Sequence, residues 1–201
     1  MKKLTLAISV VCLLFACQNK EVKSQEAARE DSADAMTESM DHLDNAAVEF
    51  ATTAATANLR EIELGKLAQT NANYGRLKEF GQKMVTAHTQ SNADLQQACY
   101  KSGVTVPTGL SAEEMKDISA MAEKKDKSFD RAFIKRMVRE HQETMEKLDA
   151  AAHNMKDTAL QNYAKKTLPI VSAHLEEARH ILEDVRKQYA PEQFDDVESY
   201  Q

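Results

Sequence analysis

FDRAFIKRMVREHQETMEKLDAAAHNM, residues 129–155, carries Phe129, Phe133, Met137, His141, Met145, Leu148, Ala152 and Met155 at steps of three and four. On an α-helix that spacing gathers the eight side chains along one side. No glycine or proline interrupts the run, so it reads as one long amphipathic helix with an imidazole in the middle of its apolar stripe. Met137, His141 and Met145 then admit two readings. They are a soft-metal site, or the ordinary inside of a helix bundle that holds a histidine.

The rest of the chain repeats the pattern. Five Gly, three Pro and no Trp in 201 residues, with abundant Ala, Leu, Glu, Lys, Gln and Met, favour helix almost everywhere. The fold class is all-α, with one core. A first helical stripe runs through Leu43, Ala47, Phe50, Ala54, Ala57, Glu61, Leu64 and Ala68, and residues 71–74 turn the chain. A second runs through Leu77, Phe80, Met84, His88, Ser91, Leu95 and Ala98 and stops near Gly103. Ser111 with Glu114 reads as a capping box opening a short helix in the crossover, and the lysines and the aspartate at 124–127 break it. The 129–155 helix is the third long one. After Asp157, a plausible N-cap, a fourth carries Leu160, Tyr163, Thr167, Ile170, His174, Glu177 or Ala178, Ile181 and Val185, with Pro169 expected to bend it. Short turns join one to two and three to four, so both pairs are expected as antiparallel hairpins of a four-helix bundle. The 103–127 connection leaves up-down-up-down and crossover topologies open.

The N-terminus reads as an export signal over residues 1–16: Lys2 and Lys3, then the apolar run LTLAISVVCLL, then Ala16 directly before Cys17. That run is too short to span a membrane. LFAC, 14–17, resembles the bacterial lipobox, in which the cysteine is acylated after cleavage, although Phe15 is bulkier than the pattern prefers. Two acyl chains anchor a protein stably, which predicts a lipoprotein tethered at Cys17. Gln18, rather than the aspartate that retains lipoproteins in the inner membrane, points to the outer membrane, facing the periplasm. Residues 17–41 read as the lipidated cysteine and a polar spacer, 42–189 as the bundle, and 190–201 as a loose tail. Met36, Met40 and His42 form a weaker soft-metal candidate near the spacer's end.

Cleavage leaves 24 basic against 32 acidic residues, a net charge near −8, which disfavours nucleic acid as a partner. Cys99 is then the one cysteine left besides Cys17, so an internal disulfide is excluded, and Cys99 reads as a small core residue. There is no nucleophile elbow, no glycine-rich phosphate loop and no CxxC, so an enzyme is the least favoured class.

Each long helix places one ionisable residue inside its apolar stripe: Glu61, His88, His141 and His174. Counted from the two short turns, they lie 12, 15, 15 and 18 residues away. Three residues of mismatch is about 4.5 Å, within reach of long side chains. Phe80, Met84, Val85, His88 and Leu95 also recur at identical spacings as Phe133, Met137, Val138, His141 and Leu148. If the second and third long helices are antiparallel neighbours, a local two-fold relates the two Met-x-x-x-His units. Buried unpaired charge is costly, so the four groups must pair with one another, with water or with a metal. Imidazole and carboxylate suit Zn, Fe, Mn or Cu(II), whereas thioether from Met84, Met137 and Met145 would favour Cu(I). Glu177 is a further candidate, as a ligand or as a group orienting His174. Without a metal, Glu61 hydrogen-bonds the histidines and the methionines fill the core.

REIELGKLA (60–68), FGQKMVTAHTQSNADL (80–95), HQETMEKLDAAA (141–152) and YAKKTLPIVSAHLEEA (163–178) together resemble a bacterial envelope family. That family is catalogued as a domain of unknown function, often labelled outer-membrane protein, and assigned to the ferritin-like superfamily. The resemblance covers about residues 43–186 and matches Glu61, His88, His141 and His174. Ala87 departs from the Asp that the family commonly has before the histidine. The resemblance implies a ferritin-like bundle. Ferritin-like di-iron proteins use Glu-x-x-His on two helices, whereas Val85, Val138 and Val171 stand three residues before the histidines here, so ferroxidase chemistry is not expected. Two functions follow: a lipid-anchored bundle that binds a transition metal for buffering or stress protection, or a structural lipoprotein that engages another envelope protein.

Overall fold

The computed structural model describes the backbone of residues 18–189 and the side chains of residues 45–189. The export segment 1–16, Cys17 and the tail 190–201 lie outside the described residues, as do the side chains of Met36, Met40 and His42. The described residues form five helices and no strand: α1 (Gln18–Asn71), α2 (Gly75–Ser102), α3 (Ala112–Ala122), α4 (Asp126–Asn154) and α5 (Thr158–Gln188). None of these helices is long and apolar enough to cross a membrane. The chain divides into two compact units, Met1–His42 and Leu43–Gln201. The packing below is that of the second.

α1 covers residues ahead of Leu43, where its apolar stripe starts, back to Gln18, the first described residue. Of the 25 residues at 18–42, 15 are Gln, Glu, Ala, Lys, Arg or Met, and these favour helix without needing a buried face. The helix ends follow local chemistry. Gly103 closes α2 in the left-handed region at φ 69°, and the Val104 amide bonds back to the Cys99 carbonyl at 3.0 Å. At the start of α3 the Ser111 hydroxyl accepts from the Glu114 amide while the Glu114 carboxylate accepts from the Ser111 amide. Asp157 caps α5 by accepting from the Leu160 amide at 2.8 Å. Pro169 lies on the exposed face of a continuous α5, so the hydrogen bond it removes is lost on the wet side.

Two apolar clusters form the core. The first joins Leu64 and Ala68 of α1, Leu77, Phe80 and Met84 of α2, Ile118 and Met121 of α3, Phe129, Phe133 and Met137 of α4, and Ile181 and Val185 of α5. The second joins Ala47, Ala51 and Ala55 of α1, Leu95 and Cys99 of α2, Leu148 and Ala152 of α4, and Leu160, Tyr163 and Val171 of α5. Burial of each large apolar side chain contributes about 1.5–3 kcal/mol. Ala51 and Ala55, rather than Phe50 and Ala54, are the fully buried residues of the early α1 stripe. Phe50 lies at the edge, its ring against Tyr163 at 6.2 Å.

α2 enters the first cluster at Leu77 and the second at Leu95, while α4 enters the first at Phe129 and the second at Leu148. The two helices therefore run in the same sense between the clusters, which corrects the antiparallel relation considered for them. Identical spacings in α2 and α4 follow, because each meets the same two layers in the same order. The 103–125 connection carries the chain back from the second cluster to the first, where α3 packs.

Asp130, fully buried on α4, ties down the first end of the bundle. Its carboxylate accepts from the backbone amides of Asn73 and Tyr74, each at 2.9 Å, and from the Tyr189 hydroxyl. One side chain thus holds the α1–α2 turn and the residue that follows α5.

Candidate metal centre

Between the two apolar clusters lies a polar layer. α1 supplies Asn58 and Glu61, α2 supplies His88 and Ser91, α4 supplies His141, and α5 supplies Thr167 and His174, all buried. The four ionisable residues predicted from the stripes converge here. Ring centroids are 5.7 Å apart for His88 and His141, 5.4 Å for His88 and His174, and 5.5 Å for His141 and His174. One nitrogen of each imidazole lies within 4.8 Å of the others. Glu61 reaches the same group: Oε2 is 3.0 Å from Nε2 of His88, and Oε1 is 3.8 Å from Nδ1 of His141.

Outer hydrogen bonds fix two of the rings. Nδ1 of His141 lies 2.9 Å from the Met137 carbonyl, an acceptor, so that nitrogen donates. Nδ1 of His88 lies 3.0 Å from Oδ1 of Asn58 and donates likewise. A neutral imidazole has one N–H, which leaves Nε2 of both rings as lone-pair donors. These two Nε2 atoms, Nδ1 of His174 and both carboxylate oxygens of Glu61 are buried without a hydrogen-bond partner. The 3.0 Å contact between Glu61 and His88 is a charge contact without hydrogen-bond alignment. Most buried polar atoms in proteins are satisfied, so five orphans at one point call for a partner.

The electrostatics are opposed in a telling way. Burial pushes the Glu61 carboxyl up, but His88 and His141 outweigh it and hold the group at about 2. Burial pushes the His141 imidazole below its ordinary range against the pull of Glu61, and pushes His174 down to about 4, helped by the charges of His88 and His141. The layer thus favours an ionised Glu61 beside neutral His141 and His174, the protonation state in which these groups coordinate a cation.

A hydrogen-bonded chain leads outward from His88. Nδ2 of Asn58 donates to the Tyr163 hydroxyl at 3.2 Å, and that hydroxyl lies 2.9 Å from Oγ of Ser91. Tyr163, Asn58 and Thr167 also line a cleft of about 370 Å³ among α1, α4 and α5, together with Thr52, Thr53, Thr56, Thr144, Arg60, Glu143 and Lys147.

Met84 and Met137 are fully buried in the first apolar cluster, and Met145 packs at the edge of the second. Glu177 pairs with Lys83 at 2.7 Å on the outside of α5. Asn58 was not foreseen, although it precedes Glu61 by three residues and so shares its face. Gly65 and Gly81 were also missed. A Cβ on Gly65 would meet the Gly81 carbonyl oxygen at 2.8 Å, so α1 and α2 touch backbone to backbone one turn beyond Glu61.

No curated protein and no solved structure matches the chain. A family model does match, over residues 25–181, its description being Domain of unknown function (DUF4142). With most of its length covered, histidine layer included, the chain belongs to the DUF4142 family.

Proposed function

We propose that this protein is a lipid-anchored envelope protein whose antiparallel, ferritin-like four-helix bundle holds one transition-metal ion between Glu61, His88, His141 and His174, for metal buffering or stress protection. The observation that carries the reading is the convergence of three imidazole nitrogens within 4.8 Å on a carboxylate, with five orphaned polar atoms among them. An ion seated there supplies the positive charge that Glu61 requires and that burial withdraws from His141 and His174. Three nitrogens and a carboxylate form a borderline donor set suited to Zn(II), Fe(II), Mn(II) or Cu(II). The thioethers of Met84 and Met137, packed with Phe80 and Phe133, favour the Cu(I) reading less.

Two short connections and the return of the chain through 103–125 support the ferritin-like arrangement. The lipobox-like LFAC at 14–17 and Gln18 after it support attachment through Cys17 to the outer membrane, facing the periplasm. The second reading is a structural lipoprotein that engages an envelope partner. The Glu61–His88 contact at 3.0 Å favours it, because that pair neutralises itself without an ion when His88 is protonated.

A competition titration of the purified chain against Zn(II), Fe(II), Mn(II), Cu(II) and Cu(I) separates the two. Tight one-to-one binding that disappears when His88 and His141 are both replaced by Gln establishes the metal centre. Absence of binding to all five ions rejects it and leaves the layer as an internal hydrogen-bond network.

A further inference from the structure

We infer that Asn58 is a positioning residue for this centre: its amide oxygen keeps the proton of His88 on Nδ1 and so keeps Nε2 available to a metal ion. The inference rests on the metal-binding reading above. His88 has two competing partners. On one side Oδ1 of Asn58 lies 3.0 Å from Nδ1, and on the other Oε2 of Glu61 lies 3.0 Å from Nε2. A neutral ring has a single N–H to give. If Asn58 presents its oxygen, the proton sits on Nδ1 and the lone pair of Nε2 faces the other imidazoles. If the amide is turned over, its NH₂ meets Nδ1, the proton moves to Nε2, where Oε2 of Glu61 lies 3.0 Å away, and His88 ceases to be a ligand.

The surroundings are satisfied in the first arrangement. Nδ2 of Asn58 lies 3.2 Å from the Tyr163 hydroxyl, and that hydroxyl lies 2.9 Å from Oγ of Ser91. Nδ2 donates to the phenol oxygen, which shares a further hydrogen bond with Ser91, so both ends of the amide are used. Asn58, His88, Ser91 and Tyr163 are each at most 5 % exposed. His141 needs no such helper, since its Nδ1 is held by the Met137 carbonyl of its own helix. Asn58 does for His88, with a side chain from α1, what the backbone of α4 does for His141.

The test uses the whole chain with nitrogen-15 in its histidines. Long-range proton–nitrogen spectra of the metal-free protein, above the ordinary imidazole range of pH, report which ring nitrogen of His88 carries hydrogen. The expected result is a protonated Nδ1 in the wild type and in Asn58→Asp, which retains an acceptor, and an unprotonated Nδ1 in Asn58→Leu. Zn(II) affinity should fall roughly 10–100-fold in Asn58→Leu and stay at or above the wild-type level in Asn58→Asp. A wild-type His88 with a bare Nδ1, or an Asn58→Leu variant that binds Zn(II) as the wild type does, overturns the role of Asn58. If Asn58→Leu does not fold, the wild-type spectrum and Asn58→Asp decide. Failure of every protein to bind Zn(II) while the nitrogen pattern follows Asn58 rejects the metal reading and leaves the control of the ring in place.

Discussion

Gly65 of α1 and Gly81 of α2 meet so closely that a Cβ on Gly81 would lie 2.6 Å from the Gly65 carbonyl oxygen and 2.8 Å from Cβ of Ala68. Gly65 is one turn beyond Glu61, and Gly81 is two turns before His88. This crossing therefore sets how near the carboxylate stands to the first imidazole. Gly81→Ala should destabilise the protein by about 1–3 kcal/mol, because backbone rather than a flexible side chain opposes the added methyl. It should also weaken metal binding by separating Glu61 from His88. Gly75→Ala, where a Cβ meets nothing within 4 Å, is the control and should be neutral or mildly stabilising. Urea unfolding of both variants checks the pair, and equal stabilities would refute the close-crossing argument.

Acid should destabilise the metal-free protein well before ordinary carboxylates titrate. His174 is held at about 4 in the folded chain against 6.5 ordinarily, so below pH 6.5 the unfolded state binds a proton that the folded state refuses. Stability is full above 6.5, declines as the pH falls toward 4, and loses roughly 3 kcal/mol over that window from this residue. Glu61, held at about 2 against 4.5, extends the decline at lower pH. His174→Phe should flatten the upper part of the profile in urea titrations across the window. An unchanged slope would show that His174 titrates normally when folded.

Thioether ligation is separable from thioether packing. Met84→Leu and Met137→Leu should each cost less than about 1.5 kcal/mol and leave Zn(II) affinity within a factor of a few, because both methionines belong to the first apolar cluster. A large loss of Cu(I) affinity in either variant would instead place sulfur among the ligands.

Asp130 should matter for stability and not for the centre. Asp130→Ala removes the acceptor of two backbone amides and the Tyr189 hydroxyl. Of these donors the Tyr189 hydroxyl is buried, and a buried donor left without a partner costs about 1–3 kcal/mol, so a loss of about 2 kcal/mol is expected. Metal affinity of the folded fraction should stay within about twofold, since the sites are separate enough for their effects to add. Combined urea and metal titrations read both quantities.

The sequence by itself determined the helices of the bundle and the four ionisable residues of the layer. Periodicity, the Ser111–Glu114 box, Asp157 and Gly103 are local signals, readable without knowing what packs on what, and a histidine inside an apolar stripe stands out for the same reason. Only the tertiary structure decided the relations between helices. That α2 and α4 run in the same sense, that Ala51 and Ala55 rather than Phe50 and Ala54 face inward, and that Gly65 lies on Gly81 depend on contacts between residues distant in the chain. Glu177 shows the same limit, since its spacing from His174 suits a ligand equally well whether or not Lys83 of α2 draws it outward. The direction of each lone pair in the layer was likewise beyond the sequence, because it is fixed by the acceptor behind each ring: a carbonyl of its own helix for His141, and Asn58 from another helix for His88.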